Sequence, residues 1–215
     1  VEIEIDERGV MGVDRRRPIV DLINDGHAPV DEPGLEALIA RNRSRIRATT
    51  DAAEAAAATD VTFIVVPTPS LAGGAFSNAA ILDAIDGIGR GLRNKDGYHV
   101  VAVTSTVTPL SMDGEIRRAL ALASGRIVGE NVGLCYNPEF IALGSVIHDM
   151  QHPDLVLLGE SDRRAGDVLE SVHRSIVGAD RPVRRMNLVN AEVAKLAVNT
   201  FVTTKITYAN MLAGI

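Results

Sequence analysis

The sequence predicts an α/β fold built on a doubly wound, Rossmann-like parallel sheet, followed by the start of a long central helix. Short β-branched runs alternate along the chain with longer segments in which apolar residues recur every three or four positions. This alternation is typical of α/β proteins, and runs that are apolar throughout indicate strands covered by helices on both faces. The six predicted strands are Val10–Val13, Val61–Val66, Val100–Thr104, Val132–Tyr136, Leu155–Leu158 and Val183–Arg185.

Amphipathic patterns between these strands predict the helices. The apolar stripes that predict them are Leu35, Leu38, Ile39 and Ile46, then Ile81 to Leu92, and later Ala165 to Ile176. Side chains that can cap a helix precede the patterns and predict where the helices begin. These capping candidates are Asp31, Asp51, Ser77 and Ser161.

The last segment keeps helical spacing from Ala191 to Ile215, and no strand pattern follows it. A helix of this length exceeds the usual range of roughly 8–20 residues and indicates a connector that leads out of the α/β domain. We therefore divide the sequence into an α/β domain over residues 1–188 and the start of a central helix over residues 189–215. Because the helical pattern ends without a cap signal, we expect the sequence to be a fragment of a longer protein.

Composition narrows the class of protein. The chain of 215 residues carries 22 Lys and Arg against 28 Asp and Glu, a net charge of −6 that argues against a nucleic-acid partner. Its single cysteine cannot form an internal disulfide, which suits the reducing cytoplasm. The longest apolar runs are far shorter than the ~20 residues of a membrane span, and the acidic N-terminus does not resemble a secretion signal. We expect a cytoplasmic protein without a membrane partner.

Three strand ends carry residues suited to a dinucleotide. Asp14 closes the first predicted strand, where an acid of a dinucleotide-binding fold accepts from the ribose hydroxyls; the same acid could instead start the turn toward Pro18. Val66, Pro67 and Thr68 end the second strand and Thr106 follows the third, at the sheet edge where ligands of α/β folds bind. Alternatively, these residues only shape turns.

The glycine-rich phosphate loop that should precede Asp14 is missing. Gly9 and Gly12 do not form G-x-G-x-x-G, and too few residues precede the first strand for a complete strand, loop and helix. We therefore expect the first strand and its loop to be incomplete in this sequence. The arginines at 15–17 could approach a 2′-phosphate or lie in a solvated loop. We favour a cofactor without that phosphate.

Two further groups of residues could carry chemistry. Glu139 follows the fourth strand, where a carboxylate could act as a general base or position water, or only cap a helix. Lys195 and Asn199 are spaced i, i+4 on the last helix and could stabilise an oxyanion, unless Lys195 is a surface residue paired with Glu192. We interpret Cys135 as a small buried core residue rather than a nucleophile. The histidines show no metal-ligand spacing, so no metal site is predicted.

The order of these elements resembles the UDP-glucose/GDP-mannose dehydrogenase family. Seven stretches match it in order across nearly the whole chain, and together they are specific although each alone is weak. The stretches are Gly12-Val13-Asp14, residues 29–35 (PVDEPGL), residues 47–51 (RATTD), residues 66–69 (VPTP), Ser105-Thr106-Val107, residues 137–140 (NPEF) and residues 190–192 (NAE) through Lys195, Asn199, Lys205 and Asn210.

The resemblance implies an NAD-binding domain over residues 1–188 and, over residues 189–215, a helix that builds a homodimer interface or a higher homo-oligomer. It implies a four-electron oxidation of the C6 alcohol of a nucleotide sugar to the carboxylate, with two NAD reduced in turn. Asp14, Val66, Pro67, Thr68 and Thr106 would bind NAD, and Thr106 would also belong to the catalytic group. The remaining implied catalytic and substrate-binding residues are Glu139, which would position water, Lys195 and Asn199, which would stabilise the C6 oxyanion, and Phe140 and Ile141, which would lie along the sugar.

Departures from the family keep two alternatives open. Leu143 stands where many relatives carry a second glutamate, and the family's nucleophilic cysteine lies beyond the long helix, so Cys135 does not fill that role. One alternative is a two-electron dehydrogenase of the 6-phosphogluconate or 3-hydroxyacid type. The other is a non-catalytic nucleotide-sugar binding subunit.

Overall fold

The computed structural model describes residues 9–141 and 144–214, and it confirms the α/β fold. The expected site of a glycine loop ahead of Val10, the substituted position Leu143 and the terminal Ile215 lie outside the described residues. The strands are β1 (Val10–Val13), β2 (Ile46–Thr49), β3 (Val61–Ile64), β4 (His99–Val103), β5 (Val132–Tyr136), β6 (Val156–Glu160) and β7 (Val183–Asn187). The helices are α1 (Arg17–Asp25), α2 (Leu35–Arg41), α3 (Ala52–Ala58), α4 (Ala79–Leu92), α5 (Arg117–Ser124), α6 (Val146–Gln151), α7 (Arg163–Val177) and α8 (Leu188–Ala213); a π-helical turn, Met112–Ile116, leads into α5.

The strands form two sheets. β1 pairs with β2 in parallel, and β3 to β7 form a five-stranded sheet in chain order. Within that sheet β3, β4 and β5 are parallel, as predicted, whereas β6 runs antiparallel to β5 and β7 is parallel to β6. The sheet is therefore mixed, with its parallel part at β3–β5. Helix α3 packs against β1, β2 and α4, so it joins the two sheets.

Helices cover both faces of the larger sheet, which explains the continuous apolar strands. In β4, Val101 and Val103 pack with residues of α4 and α5, whereas Val100 and Ala102 pack with residues of α7. All four side chains are fully buried. Because successive side chains of a strand point to opposite faces, a strand between two helical layers has to be apolar at every position.

Strand β2 corrects one prediction. Ile46 does not continue a helix with Leu35, because α2 ends at Arg41. The side-chain amide of Asn42 donates to the Leu38 carbonyl at 2.9 Å at the end of this helix. After a turn, Ile46 begins β2 and pairs in register with Val10. The strand is only four residues long and has no apolar run, so its hydrophobic spacing could not distinguish it from the last turn of a helix.

Several helix starts also differ from the prediction. Asp51 caps α3 as expected, since its carboxylate accepts from the backbone N–H groups of Ala53 and Glu54 at 2.8 and 3.3 Å. Asp31 is separated from α2 by loop residues, and at α7 the Asp162 carboxylate accepts from the Ala165 N–H at 2.9 Å in place of Ser161. Ser77 lies one residue before the cap position of α4, where its hydroxyl accepts from the Ala79 N–H at 3.4 Å. The residues that directly precede α2, α4 and α7 are Gly34, Asn78 and Asp162. Helices α1, α5 and α6 were not predicted at all.

The long final helix was predicted correctly, but it begins three residues earlier than Ala191. The side chain of Asn187 accepts from the backbone N–H of Asn190 at 2.8 Å, so α8 follows β7 without a loop. Its first turns are buried in the domain, while every described residue from Ala197 onward is exposed. Within residues 9–141 and 144–214, no helix has the length and apolarity needed to cross a bilayer.

The buried His99 predicts a pH-dependent stability. It is fully buried at the start of β4, where Nε2 bonds the Thr62 hydroxyl at 2.9 Å and Nδ1 accepts from Lys95 at 3.2 Å. Burial, followed by the charge of Lys95, lowers the pKa of His99 to about 4. Below pH ~6.5 His99 binds a proton in the unfolded chain, whereas His99 in the folded chain stays neutral until the pH approaches its lowered pKa. The advantage of His99 over a His99→Gln variant should therefore be complete above that pH and shrink by about 3 kcal/mol as the pH falls to 4.

Urea unfolding of both proteins between pH 7.5 and 4 measures this difference. Leu169→Ala removes a buried side chain of α7 and introduces no titrating group, so its destabilisation should stay constant over the same range. A His99→Gln difference that stays equally constant would contradict the assignment.

Candidate functional site

Three parallel strands end at the same level, and this places the candidate residues side by side. Ile64, Val103 and Tyr136, the last residues of β3, β4 and β5, are paired in register. The backbone bonds continue one residue further, because Thr104 donates to the Ile64 carbonyl at 2.9 Å and Asn137 to the Val103 carbonyl at 2.8 Å. The segments that follow, with Thr68, Thr106 and Glu139, therefore leave one edge of the sheet.

Ser105 joins two of these segments. Its hydroxyl accepts from the Val66 backbone N–H at 2.8 Å and donates to the Val66 carbonyl at 2.7 Å, so it is fully used by the backbone. Thr68 and Thr106 are half-buried, and neither hydroxyl bonds another residue in the described part of the chain. Two free hydroxyl groups thus remain beside the segment after β3, which contains Val66 and Pro67 and is fixed by Ser105.

Asp14 extends the edge on the smaller sheet, at the end of β1. Its carboxylate accepts from the Arg16 backbone N–H at 2.8 Å and from the guanidinium of Arg16 at 3.1 Å. The side-chain bond to Arg16 lowers the pKa of Asp14, so the carboxylate is charged at neutral pH. Asp14 therefore shapes the turn before α1, as its alternative interpretation held, and still keeps 30% of its side chain exposed.

The segment with Glu139 is anchored by a contact that sequence reasoning missed. The Asn137 side-chain amide donates to the Leu157 carbonyl of β6 at 3.2 Å, and its oxygen bonds Nε2 of His173 on α7 at 2.8 Å. Asn137 is buried, and burial lowers the pKa of His173. The two residues are 36 positions apart and no local pattern connects them, so only the packing of α7 reveals the pair.

Helix α8 crosses the sheet at Gly159 on its way to this edge. A Cβ atom at Gly159 would lie 2.8 Å from Cβ of Ala191 and 3.2 Å from Cα of Leu188. Such distances are shorter than van der Waals contact, so glycine is needed for the helix to approach β6. Leu188 and Ala191 are consequently fully packed in the core, and α8 contacts β5, β6, β7 and the π-helical turn that precedes α5.

Lys195 reaches the Glu139 segment from the next turn of α8. Its side chain is buried, with 7% of the residue exposed, and its ammonium donates to the Glu139 carbonyl and lies 4.4 Å from the ring centroid of Phe140. Burial lowers the pKa of Lys195, and the nearby Glu139 carboxylate opposes this by raising it. Lys195 is thus not a surface residue paired with Glu192, which bonds the backbone of Leu110 and Met112 instead.

The other predicted site residues lie around this lysine with fewer contacts. Asn199 lies one turn further along α8; it is exposed, and its amide bonds no residue that the structure describes. Glu139 and Phe140 are exposed and Ile141 is half-buried. The structure therefore brings Lys195, Glu139 and Phe140 into direct contact, while Asn199 shares only the helix with them.

Cys135 is the small core residue that the sequence indicated. It is completely buried in β5, and burial raises the pKa of its thiol to about 12, which keeps it from acting as a thiolate. Among residues 9–141 and 144–214, no group of three or more His, Cys, Asp or Glu side chains could hold a metal ion.

These features define a class of protein. The strand ends carry an acid, Asp14, on the smaller sheet and two free hydroxyls, Thr68 and Thr106, on the larger one, and these are groups that can bond a dinucleotide. A buried ammonium beside that edge can stabilise an oxygen that becomes negative. Together they define a dinucleotide-binding α/β domain with a buried ammonium beside the strand ends.

Comparison with known proteins identifies the family. Residues 3–177 match the model of the UDP-glucose/GDP-mannose dehydrogenase family, NAD binding domain. The chain is 37% identical to GDP-mannose 6-dehydrogenase of Pseudomonas syringae pv. tomato over 96% of its own length and 47% of that protein. It is 38% identical to the UDP-glucose 6-dehydrogenase AglM of Haloferax volcanii, again over 96% of its own length and 48% of that protein.

A solved structure agrees. A ternary complex of GDP-mannose dehydrogenase from Pseudomonas aeruginosa superposes with a TM-score of 0.89 at 36% identity, covering 94% of this chain and 46% of that one. The chain therefore belongs to the UDP-glucose/GDP-mannose dehydrogenase family, and the predicted cofactor, NAD, is confirmed by the matching NAD binding domain. The chain spans about half the length of the curated relatives it matches.

Proposed function

We propose that this chain is the cofactor-binding part of an enzyme that oxidises the C6 alcohol of a nucleotide sugar to the carboxylate with NAD. The observation that carries the proposal is the buried Lys195 ammonium held against the Glu139 segment, at the edge where the strands of an NAD binding domain end. The names of the relatives support the choice of substrate class, since they are GDP-mannose and UDP-glucose 6-dehydrogenases.

We assign the cofactor to the hydroxyls and the acid at the sheet edge. Asp14 would accept from the two ribose hydroxyls, with Arg16 moving to share or release the carboxylate. Val66, Pro67, Thr68 and Thr106 would line the cofactor, since the hydroxyls of the two threonines are free to bond it. When bound, NAD supplies the acceptor for the hydride that leaves C6.

We assign the sugar to the groups around Lys195. The ammonium would donate to the C6 oxygen and stabilise the negative charge that develops there, with the amide of Asn199 adding a second donor. The Glu139 carboxylate would hold the water needed to convert the aldehyde stage to the acid. Phe140 and Ile141 would lie along the sugar. The sugar and the nucleotide base remain open among the UDP-glucose, GDP-mannose and UDP-N-acetylmannosamine types.

We further propose that residues 1–188 form the NAD-binding domain and that α8 continues as a central helix which pairs two copies of the protein. The outer turns of α8 support this, because they expose apolar side chains on all sides, including Phe201 at 63% and Tyr208 and Met211 at 58%. Large apolar groups left in water favour burial against a partner. The single, buried cysteine and the charge of −6 support a cytoplasmic protein without nucleic acid as a partner.

The stoichiometry of the full-length protein tests the proposed reaction. We expect two NADH per molecule of UDP-glucose, GDP-mannose or UDP-N-acetylmannosamine consumed, measured by absorbance and by quantifying the sugar acid. One NADH per substrate would favour the two-electron 6-phosphogluconate or 3-hydroxyacid type. Binding of a nucleotide sugar without any NADH would favour a non-catalytic binding subunit.

Replacing Lys195 tests its assigned role. We expect Lys195→Ala in the full-length protein to lower kcat by about 10²–10³-fold, because one fixed donor to the developing oxyanion is lost. The Kd for NAD, measured by calorimetry, should change by less than about threefold, since a lost transition-state donor affects kcat rather than cofactor binding.

Arg118→Ala is the control, because Arg118 is an exposed basic residue of α5 and lies outside the outer turns of α8 that we assign to pairing. It should keep the unmodified kcat. A kcat for Lys195→Ala within about threefold of the control would remove Lys195 from the mechanism.

A further inference from the structure

A second ionisable residue is buried in the first turns of α8. Glu192 is completely buried, and it forms no ion pair with any described lysine or arginine. Instead, Oε2 accepts from the Leu110 backbone N–H and Oε1 from the Met112 backbone N–H, both at 2.8 Å. The Ser111 N–H between them donates to the Thr108 carbonyl at 3.1 Å instead. Two backbone donors from one turn therefore converge on one carboxylate.

The backbone adopts an unusual conformation to present these donors. Leu110 has φ +74°, and no other non-glycine residue in the described ranges has a positive φ. A branched residue adopts the left-handed region only where its surroundings compensate for the strain. The side chain of Leu110 is 64% exposed and provides no such anchor. The conformation is held by the backbone of Leu110, whose N–H donates to Glu192 at 2.8 Å and whose carbonyl accepts from the Gly114 N–H at 3.0 Å.

The segment that Glu192 holds is the one that carries Thr106. It leaves β4 with Ser105 bonded to Val66, its Thr108 hydroxyl accepts from the Phe76 N–H at 2.9 Å, and it ends at the donors of 110–112. Its sheet end is thus fixed by Ser105 and its helix end by Glu192. Without the carboxylate, nothing else described in the structure bonds the N–H groups of Leu110 and Met112.

Glu192 and Lys195 are three residues apart and lie on the same buried face of α8. Glu192 bonds the segment after β4, and Lys195 bonds the segment after β5. We infer that Glu192 is a positioning residue that sets the distance between the cofactor-lining Thr106 segment and the Lys195 ammonium. This inference rests on the proposed function, because it assigns NAD to the first segment and the C6 oxygen to the second.

Glu192→Gln in the full-length protein tests the inference. Glutamine keeps the shape and one acceptor oxygen but turns an NH₂ group toward a backbone N–H, so the segment should shift. We expect kcat to fall by about 10²-fold, as expected for an ångström-scale misplacement of reacting groups, and the calorimetric Kd for NAD to rise several-fold. The KM for the nucleotide sugar should change less, since the sugar is assigned to the Lys195 side.

A merely structural role makes a different prediction. Leu169→Ala in the core of α7, on the other face of the sheet, serves as the control that destabilises the fold away from Glu192. If Glu192 only stabilises the fold, both variants assayed well below their Tm should retain the NAD Kd and kcat of the unmodified protein. Values for Glu192→Gln within about twofold of the Leu169→Ala control would overturn the inference.

Two additional variants and the unmodified protein complete the test. If Glu192→Gln does not fold, the same assays on Glu192→Gln combined with Leu110→Gly decide, because glycine adopts the positive φ without strain. Leu110→Gly alone should retain NAD binding and kcat, since it keeps the N–H bond to Glu192. If the unmodified protein neither binds NAD nor oxidises a nucleotide sugar, the proposed function fails; if it does both and Glu192→Gln matches it, only the inference about Glu192 fails.

Discussion

The candidate site depends on one constraint, the level ends of three parallel strands, with the buried face of α8 bonded to the segments that follow two of them. Because Ile64, Val103 and Tyr136 are in register, the segments after β3, β4 and β5 leave the sheet together. Because position 159 is glycine, α8 can lie directly on β6 and reach the segments after β4 and β5. The register brings together the segments to which we assign the cofactor, and the helix adds the Lys195 ammonium beside the segment after β5.

Burying two ionisable groups on one helix is costly, and the structure offsets the cost without pairing them. A buried charge is tolerated when fixed dipoles replace its water. The Glu192 carboxylate receives backbone N–H groups, and the Lys195 ammonium donates to a backbone carbonyl and lies over an aromatic ring. If the two side chains were bonded to each other, neither could bind the strand-end segments. Their separate partners explain how a rigid helix orients two loops at once.

Much of this arrangement could be predicted from the sequence because it is local. The apolar runs of β4 and β5, the cap at Asp51 and the long final helix each follow from the residues at those positions. The short β2, which begins at Ile46, could not be predicted because four residues carry too little periodicity to separate a strand from a helix. The antiparallel direction of β6 likewise could not be predicted, because no pattern in its own residues indicates it.

For the site, the motifs indicated which residues matter but not how they are held. Lys195 and Glu139 were proposed from their strand-end and helical positions, and the structure brings them together. The anchors behind them, Glu192 under Leu110 and His173 on Asn137, join residues 82 and 36 positions apart. Such pairs form only when the helices pack, and the sequence alone does not distinguish a buried acid from an exposed one.

The most direct test of this account is a crystal structure of the full-length protein with NAD and a nucleotide sugar. We expect Nζ of Lys195 at a hydrogen-bonding distance of about 2.7–3.2 Å from the C6 oxygen. The Thr106 segment should lie against the cofactor on the opposite side of C6. A complex in which Lys195 stays on the Glu139 carbonyl, with the C6 atom bound elsewhere, would contradict the central claim.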